Sequence, residues 1–180
     1  MTFTKLAIDG LVVIEPKVFG DSRGFFMESY NKKLFQENGI DIDFVQDNHS
    51  RSAKDVLRGL HFQLPPFAQD KLVRVIKGEV LDVAVDIRKD SPSYGKWESV
   101  KLSEENKKMF LVPKGFAHGF LVLSESADFE YKVSNYYSPE HDRGLRWNDT
   151  DINVEWGISN PQLSEKDANQ PFFKDLKDTF

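Results

Sequence analysis

Residues 71–87 read KLVRVIKGEVLDVAVDI, and this stretch decides the fold. Val73 and Val75 flank Arg74. Beyond Gly78, Leu81, Val83, Val85 and Ile87 alternate with Asp82, Ala84 and Asp86. Successive side chains of a strand point to opposite faces, so a period of two over such a length means β-structure. Gly78 supplies a turn, and the segment is expected to form a hairpin. The texture continues on both sides. Residues 11–14, 25–29, 44–50, 56–63, 97–102, 109–112, 119–123 and 129–137 read as further short strands separated by Gly, Pro and Ser. Many short strands so punctuated predict an all-β sandwich or jelly roll. The helices are few and short. Asn31 caps one that Gly39 ends, and residues 164–167 (SEKD) fit a capping box opening a short C-terminal helix.

The composition narrows the class. A chain of 180 residues without internal repeat or linker is expected to be a single domain, residues 1–180. It has no cysteine, which excludes a disulfide scaffold and a thiolate metal site and fits a reducing compartment. No apolar run approaches a membrane span, and residues 1–5 lack the apolar core of a signal peptide, so a cytoplasmic location is expected, with no membrane partner. A net charge of −5 argues against general nucleic-acid binding but leaves room for a small anion held by a few local cations.

Residues 56–63 (VLRGLHFQ) form an apolar strand that carries Arg58 and His61. A satisfied core histidine and a snorkelling arginine are the plain explanation. Strand parity puts the two on opposite faces unless Gly59 hosts a bulge that turns both into one pocket. His118 ends the segment PKGFAH, residues 113–118. That P-x-G-x-x-H pattern resembles the second motif of the cupin jelly-roll superfamily, in which the histidine points into the barrel. The cupin first motif has two histidines two apart and then a glutamate. Here His61 is followed by Phe62 and Gln63, and Lys71 lies downstream, where a cation repels a metal. A metal site needs about three converging ligands, so none is expected.

Five segments carry a closer resemblance: PKVFGDSRGFF (16–26), RGLHFQ (58–63), KLVR (71–74), VPKGFAHGF (112–120) and GLRWND (144–149). In order and spacing they resemble the dTDP-4-dehydrorhamnose 3,5-epimerase family over nearly the whole chain. The resemblance implies a cupin-type jelly roll acting as a homodimer, with N-terminal strands paired to the partner subunit. It implies an isomerase that uses no metal or other cofactor. The substrate would be dTDP-4-keto-6-deoxyglucose, inverted at C3 and C5 to give dTDP-4-keto-rhamnose in deoxysugar-nucleotide synthesis.

The same resemblance assigns roles. Protons at C3 and C5 are acidic because the C4 carbonyl can take charge as an enolate. A base with a pKa near neutral is needed, histidine is the natural choice, and His61 is the implied one. Lys71 meets the developing oxyanion. Tyr131 is the acid on the other face, sharing a strand face with Phe129 and Val133; by itself it reads equally well as a barrel-lining aromatic. Asp167 is implied as the partner of His61, although its place three residues after Ser164 also suits a helix cap. Arg23, Glu28, Gln46, Asp47, Asn48, Arg58, Lys71, His118, Asp142 and Lys166 are the implied ligand-binding residues. Asp142 stands where the family commonly has glutamate. Phe19 and Phe25 suit either the walls of a base pocket or core packing. His49 and His141 receive no catalytic role. Three alternatives remain: a relative acting at C3 or C5 alone, a non-catalytic sugar-nucleotide-binding cupin, and a metal-dependent cupin.

Overall fold

The computed structural model describes residues 1–177 and 180. Thirteen strands are present among them, together with two short helices. The N-terminal region holds β1 (Thr2–Lys5), β2 (Val12–Glu15), β3 (Val18–Asp21) and β4 (Gly24–Met27), then helix α1 (Lys32–Glu37). The middle holds β5 (Gln46–Ala53), β6 (Leu57–Gln63), β7 (Lys71–Lys77), β8 (Glu79–Asp86) and β9 (Trp97–Ser103). Next come β10 (Met109–Val112), β11 (Phe116–Val122), β12 (Ser126–Val133) and β13 (Asp142–Gly144). Helix α2 (Glu165–Ala168) and a 3₁₀ turn (Phe173–Asp175) follow.

Two antiparallel sheets face each other. One has the order β1-β2-β10-β7-β12-β5, the other β13-β6-β11-β8-β9, and β3 and β4 form a separate hairpin. This is the expected jelly-roll sandwich of the cupin type, with few helices. The pairing of residues 71–87 differs from expectation. Both halves are strands, but they do not form a hairpin. β7 pairs with β10 and β12, whereas β8 pairs with β11 and β9 in the facing sheet.

Burial explains the difference. Val73 and Val75 on β7, and Val80 and Ala84 on β8, belong to one interior cluster with Phe110, Phe120 and Phe129. The alternate row, Leu81, Val83, Val85 and Ile87, lies against an outer layer made by Ile152, Trp156 and the C-terminal segment. A strand covered on both faces belongs inside a sheet, not at the end of a hairpin. Gly78, with φ +80°, turns the chain from one sheet to the other. The six-stranded sheet is also covered outside, where Leu72, Met109, Leu111 and Ile14 pack on Phe35 of α1. Asn31 caps α1 as expected, its side chain accepting from the Leu34 N–H.

The hairpin of β3 and β4 stands apart from this packing. Val18, Phe19, Phe25 and Phe26 are all exposed, so Phe19 and Phe25 are not core residues.

The parity of β6 breaks at Gly59. Opposite β11, His61 faces His118 and Arg58 faces Phe120, so three steps on one strand match two on the other. The expected bulge is there. It turns Leu57, Leu60 and Phe62 all to the outer core and leaves Arg58 and His61 together on the inner side. Gly59 has φ +129°, and a Cβ there would lie 2.5 Å from the Gly119 Cα. Gly24 has the same φ with open space around it. Gly59→Ala is therefore expected to cost at least about 2 kcal/mol more than Gly24→Ala, the strain being common to both and the collision belonging to one. Urea unfolding of the two variants checks this, and equal losses would show that the Gly59–Gly119 approach is dispensable.

Candidate active site

The inner side of the bulge opens into a cavity of about 510 Å³. Its lining draws Arg58 and His61 from β6, Lys71 from β7, His118 from β11 and Tyr131 from β12. Lys166 and Asp167 close it from α2. Seven of the residues singled out in the sequence thus converge. They come from both sheets: His61 and His118 stand on the five-stranded sheet, and Lys71 and Tyr131 on the six-stranded sheet opposite.

His61 Nε2 lies 2.5 Å from Asp167 Oδ1, and the carboxylate is almost wholly buried. Burial alone would raise the Asp167 carboxyl. The His61 contact, the Ser164 hydroxyl and Lys166 together outweigh it and hold the group below the usual carboxylate range. With Nε2–H donated to a carboxylate, Nδ1 carries the lone pair, and an imidazolium formed there is stabilised. The competition between cap and partner resolves into both. The Asp167 backbone N–H donates to the Ser164 hydroxyl, while the side chain serves His61.

What brings Asp167 over His61 is a long-range clamp. Gln162 N donates to Asp55 O at 2.8 Å, and Leu57 N to Gln162 O at 3.0 Å. The segment before α2 is thereby laid along the start of β6.

The Lys71 ammonium is pushed down to about 8 by burial, against the pull of Asp142 and Asp82. Its Nζ donates to the His61 carbonyl at 3.4 Å. Burial raises the Tyr131 phenol; Arg58 opposes and Asp142 assists. Tyr131 therefore keeps its proton at neutral pH and can give it. Arg58 is steadied by a 2.9 Å bond from Nε to the Ser52 hydroxyl.

The remaining sequence candidates lie elsewhere. Arg23 is on the β3–β4 hairpin, 88% exposed in its side chain and paired with Asp21. Glu28 accepts from Asn31 Nδ2 at 3.0 Å. On β5, Gln46 and Asn48 share the parity of Ser50, which lines the cavity, and bond to each other at 2.8 Å. Asp47 has the opposite parity and pairs with Lys132 on the outer face at 2.8 Å. This chain does not bring Arg23, Glu28, Gln46, Asp47 or Asn48 into its own cavity. Asp142 accepts from the Tyr137 hydroxyl at 3.0 Å and pairs with Lys166, at the edge of the cavity.

Two further placements bear on chemistry. Gln63, at the position of the second cupin histidine, is turned away. Its Nε2 donates to Phe67 O and Tyr136 O and its Oε1 accepts from Ser138 N, tying down a loop. Among the described residues, no group of three or more His, Cys, Asp or Glu is arranged to hold a metal ion. Asp82, which the alternation of β8 puts on its polar row, is wholly buried in the interior, 2.7 Å from His118 Nε2. Its signal in the sequence was a carboxylate in a strand whose other row is uniformly apolar.

A jelly roll whose facing sheets present an imidazole–carboxylate pair, an ammonium and a phenol to one cavity defines an isomerase site of the proton-transfer class. The comparisons agree. The family model for dTDP-4-dehydrorhamnose 3,5-epimerase matches residues 5–175. The dTDP-4-dehydrorhamnose 3,5-epimerase of Shigella flexneri is 58% identical over 176 residues, covering 97% of each chain. That of Pseudomonas aeruginosa is 53% identical over 177 residues, again covering 97% of each. The crystal structure of the dTDP-6-deoxy-D-glucose-3,5-epimerase of Legionella pneumophila in complex with dTDP-4-keto-L-rhamnose superposes with a TM-score of 0.94. It is 50% identical, with 97% of this chain and 94% of that one covered. The chain belongs to the dTDP-4-dehydrorhamnose 3,5-epimerase family.

Asp167→Asn keeps the backbone cap and removes the charge behind His61. Turnover is expected to fall by about 10²–10⁴-fold with the fold intact, by analogy with other carboxylates behind a catalytic imidazole. Steady-state kinetics beside a thermal melt checks it; a normal rate would leave Asp167 as a cap only.

Proposed function

We propose that the protein inverts C3 and C5 of dTDP-4-keto-6-deoxy-D-glucose, giving dTDP-4-keto-L-rhamnose. The observation that carries this is the placing of His61 and Tyr131 on facing sheets across one cavity. Inversion requires a proton to leave one face of the sugar and another to arrive on the opposite face. His61 Nδ1 takes the proton, and the C–H electron pair moves through the C4 carbonyl to make an enolate. Lys71 holds that oxygen. Tyr131 O–H then protonates the carbon from the other side, and solvent restores both groups. The reaction is redox-neutral and draws on no metal or other cofactor, since Lys71 fills the electrophile's role.

Arg58 and Lys166 suit the diphosphate: an arginine fork donates two parallel bonds, and both sit at the cavity. His118 completes the inner wall. Gln46 and Asn48 continue the inner face of β5 outward from Ser50, a polar track for the thymidine, with Asp47 contributing through its backbone. Asp142 acts through Lys166. A non-catalytic binder would not need both His61 and Tyr131. The reading extends to the cytoplasm as the site of reaction; among the described residues no helix is long and apolar enough to cross a membrane.

We further propose a homodimer of single-domain subunits. The support is the β3–β4 hairpin, which leaves Phe19, Phe25, Phe26 and Arg23 largely exposed, with Lys17 beside the Phe19 ring, Lys107 beside the Phe25 ring and Asp21 paired to Arg23. In a dimer that hairpin delivers Arg23 and the aromatic rings to the partner's cavity, with Glu28 just beyond it. Arg23→Ala is then expected to raise KM about 10-fold or more, the loss of one charge-assisted bond, with kcat changed less. Light scattering at micromolar concentration should give twice the chain mass. A fully active monomer would sink the proposal.

The reaction itself is tested in heavy water with dTDP-4-keto-6-deoxyglucose. Deuterium at both C3 and C5 with rhamnose-configured product is expected. Label at one carbon only would identify a restricted epimerase, and none would exclude this substrate. His61→Ala should abolish exchange and inversion. Tyr131→Phe should still wash deuterium into C5 but with the starting configuration retained. Normal inversion by Tyr131→Phe would remove Tyr131 as the acid.

A further inference from the structure

Asp82 sits in the inward row of β8 with Val80 and Ala84 and has no exposed surface. One carboxylate oxygen meets His118 Nε2 at 2.7 Å. The other, Oδ2, is buried and has no hydrogen-bond partner among the described residues. A carboxylate so placed costs stability, because a buried charge loses its water and here recovers only one bond. Its neighbours in that row, Val80 and Ala84, are apolar, and Asp86 at the end of the row is paired with Arg88. A residue that costs the fold and lies one step behind the cavity wall is expected to serve the cavity.

We propose that Asp82 is a positioning residue for the enolate: it fixes His118 in one tautomer and supplies the fixed counter-charge that keeps Lys71 an ammonium. This rests on the epimerase reading above. The geometry gives each half. With Nε2–H donated to Asp82, His118 turns its other ring nitrogen toward the cavity, as His61 does through Asp167. The two histidines are register partners on adjacent strands, so the cavity has two imidazole–carboxylate pairs side by side.

Lys71 needs support because an ammonium in such surroundings tends to shed its proton. Around it stand Asp82 from β8, His118 from β11, His61 and Arg58 from β6, and Tyr131 from β12. Lys166 and Asp167 face it from α2, and Asp142 from β13. The carboxylates that act on it are Asp142 and Asp82. Asp142 is already bound to Lys166 and Tyr137, and Asp167 to His61. Asp82 has an oxygen to spare. Burial holds its own carboxyl above the usual carboxylate range, and His118 and Lys71 oppose that rise in part. The two groups thus sustain each other's charge: Lys71 is cationic below about pH 8 and loses that charge as pH rises through it.

Asp82→Asn tests this, being close to the same shape without the charge. In the wild-type protein kcat/KM should fall along an alkaline limb near pH 8. In the variant that limb should move down by about one pH unit, which alone lowers the rate at pH 8 about fivefold, with KM changed less than about threefold. A lower kcat with an unmoved limb would make Asp82 merely structural and overturn the proposal. The second measurement needs neither substrate nor variant. Long-range ¹H–¹⁵N spectra of the histidine rings of the wild-type protein should show His118 as the Nε2–H tautomer from pH 6 to 8. An Nδ1–H tautomer overturns the proposal, whether or not Asp82→Asn folds. Wild-type protein inert toward the keto-sugar but with His118 locked as Nε2–H would instead count against the substrate reading.

Discussion

Gly59 and Gly119 meet backbone to backbone, and no side chain fits between them. The site depends on that contact. Because β6 gains one residue on β11 there, its apolar side chains stay on the outer core on both sides of the break. Arg58 and His61, which ordinary alternation would separate, come to share the cavity. Without the extra residue, either His61 would be driven into the outer layer beside Trp156 and Leu145, or Leu60 and Phe62 would be turned inward. Both outcomes bury the wrong chemistry. The local irregularity is what lets one strand serve two masters, a hydrophobic coat behind and a polar wall in front.

The polar wall has its own constraint. Two histidines, two lysines, an arginine and a carboxylate line a space walled by Phe120 and Phe129, and two more carboxylates, Asp82 and Asp142, stand behind them. Charges in such a place survive only in pairs or by giving up protons. The pairing is specific. Asp167 takes His61, Asp82 takes His118, and Asp142 takes Lys166. Lys71 is left with the weakest direct bond, to a backbone carbonyl at 3.4 Å, and burial lowers its proton affinity. In the proposed reaction a cation held loosely beside the cavity suits a negative charge that exists only during turnover, because the strongest interaction is then made with the enolate and not with the resting protein.

Much of this was legible in the sequence and some was not, for identifiable reasons. Residues 71–87 were readable as strands because period two is local. Their partners were not, because pairing is decided by which faces are covered, and the cover over Leu81 to Ile87 comes from residues beyond 150. The same blindness hid Asp82. Alternation names its row but does not say that the row faces a cavity and not water. The bulge could be anticipated from a glycine between two polar residues. His61, Lys71, Tyr131 and Asp167 were found through resemblance to a family, and the structure brings them together. Asp167 joins His61 from 106 residues away, a contact no spacing rule could supply. Arg23 and Glu28 were named in the same way, yet the chain holds them on or beside an outlying hairpin, a placement that residue type and spacing do not state.

Gln63 bears on why a lysine is the electrophile in the proposed reaction. In a cupin-type barrel the neighbouring inward position is where a second imidazole could join His61 around a metal. Here the amide at 63 makes three bonds to Phe67, Tyr136 and Ser138, and so anchors the loops that lead from β6 to β7 and from β12 to β13. Those loops set where β7 begins, and β7 begins with Lys71 on the parity of Val73 and Val75, pointing inward. Glutamine suits that task because it donates and accepts at once; an imidazole has too few sites to hold two carbonyls and an amide. One substitution therefore withdraws a metal ligand and also fixes the strand that supplies its replacement. In the proposed reaction the enolate is then met by an ammonium and not by a Lewis acid, and Lys71 with its proton is the group on which the alkaline limit turns.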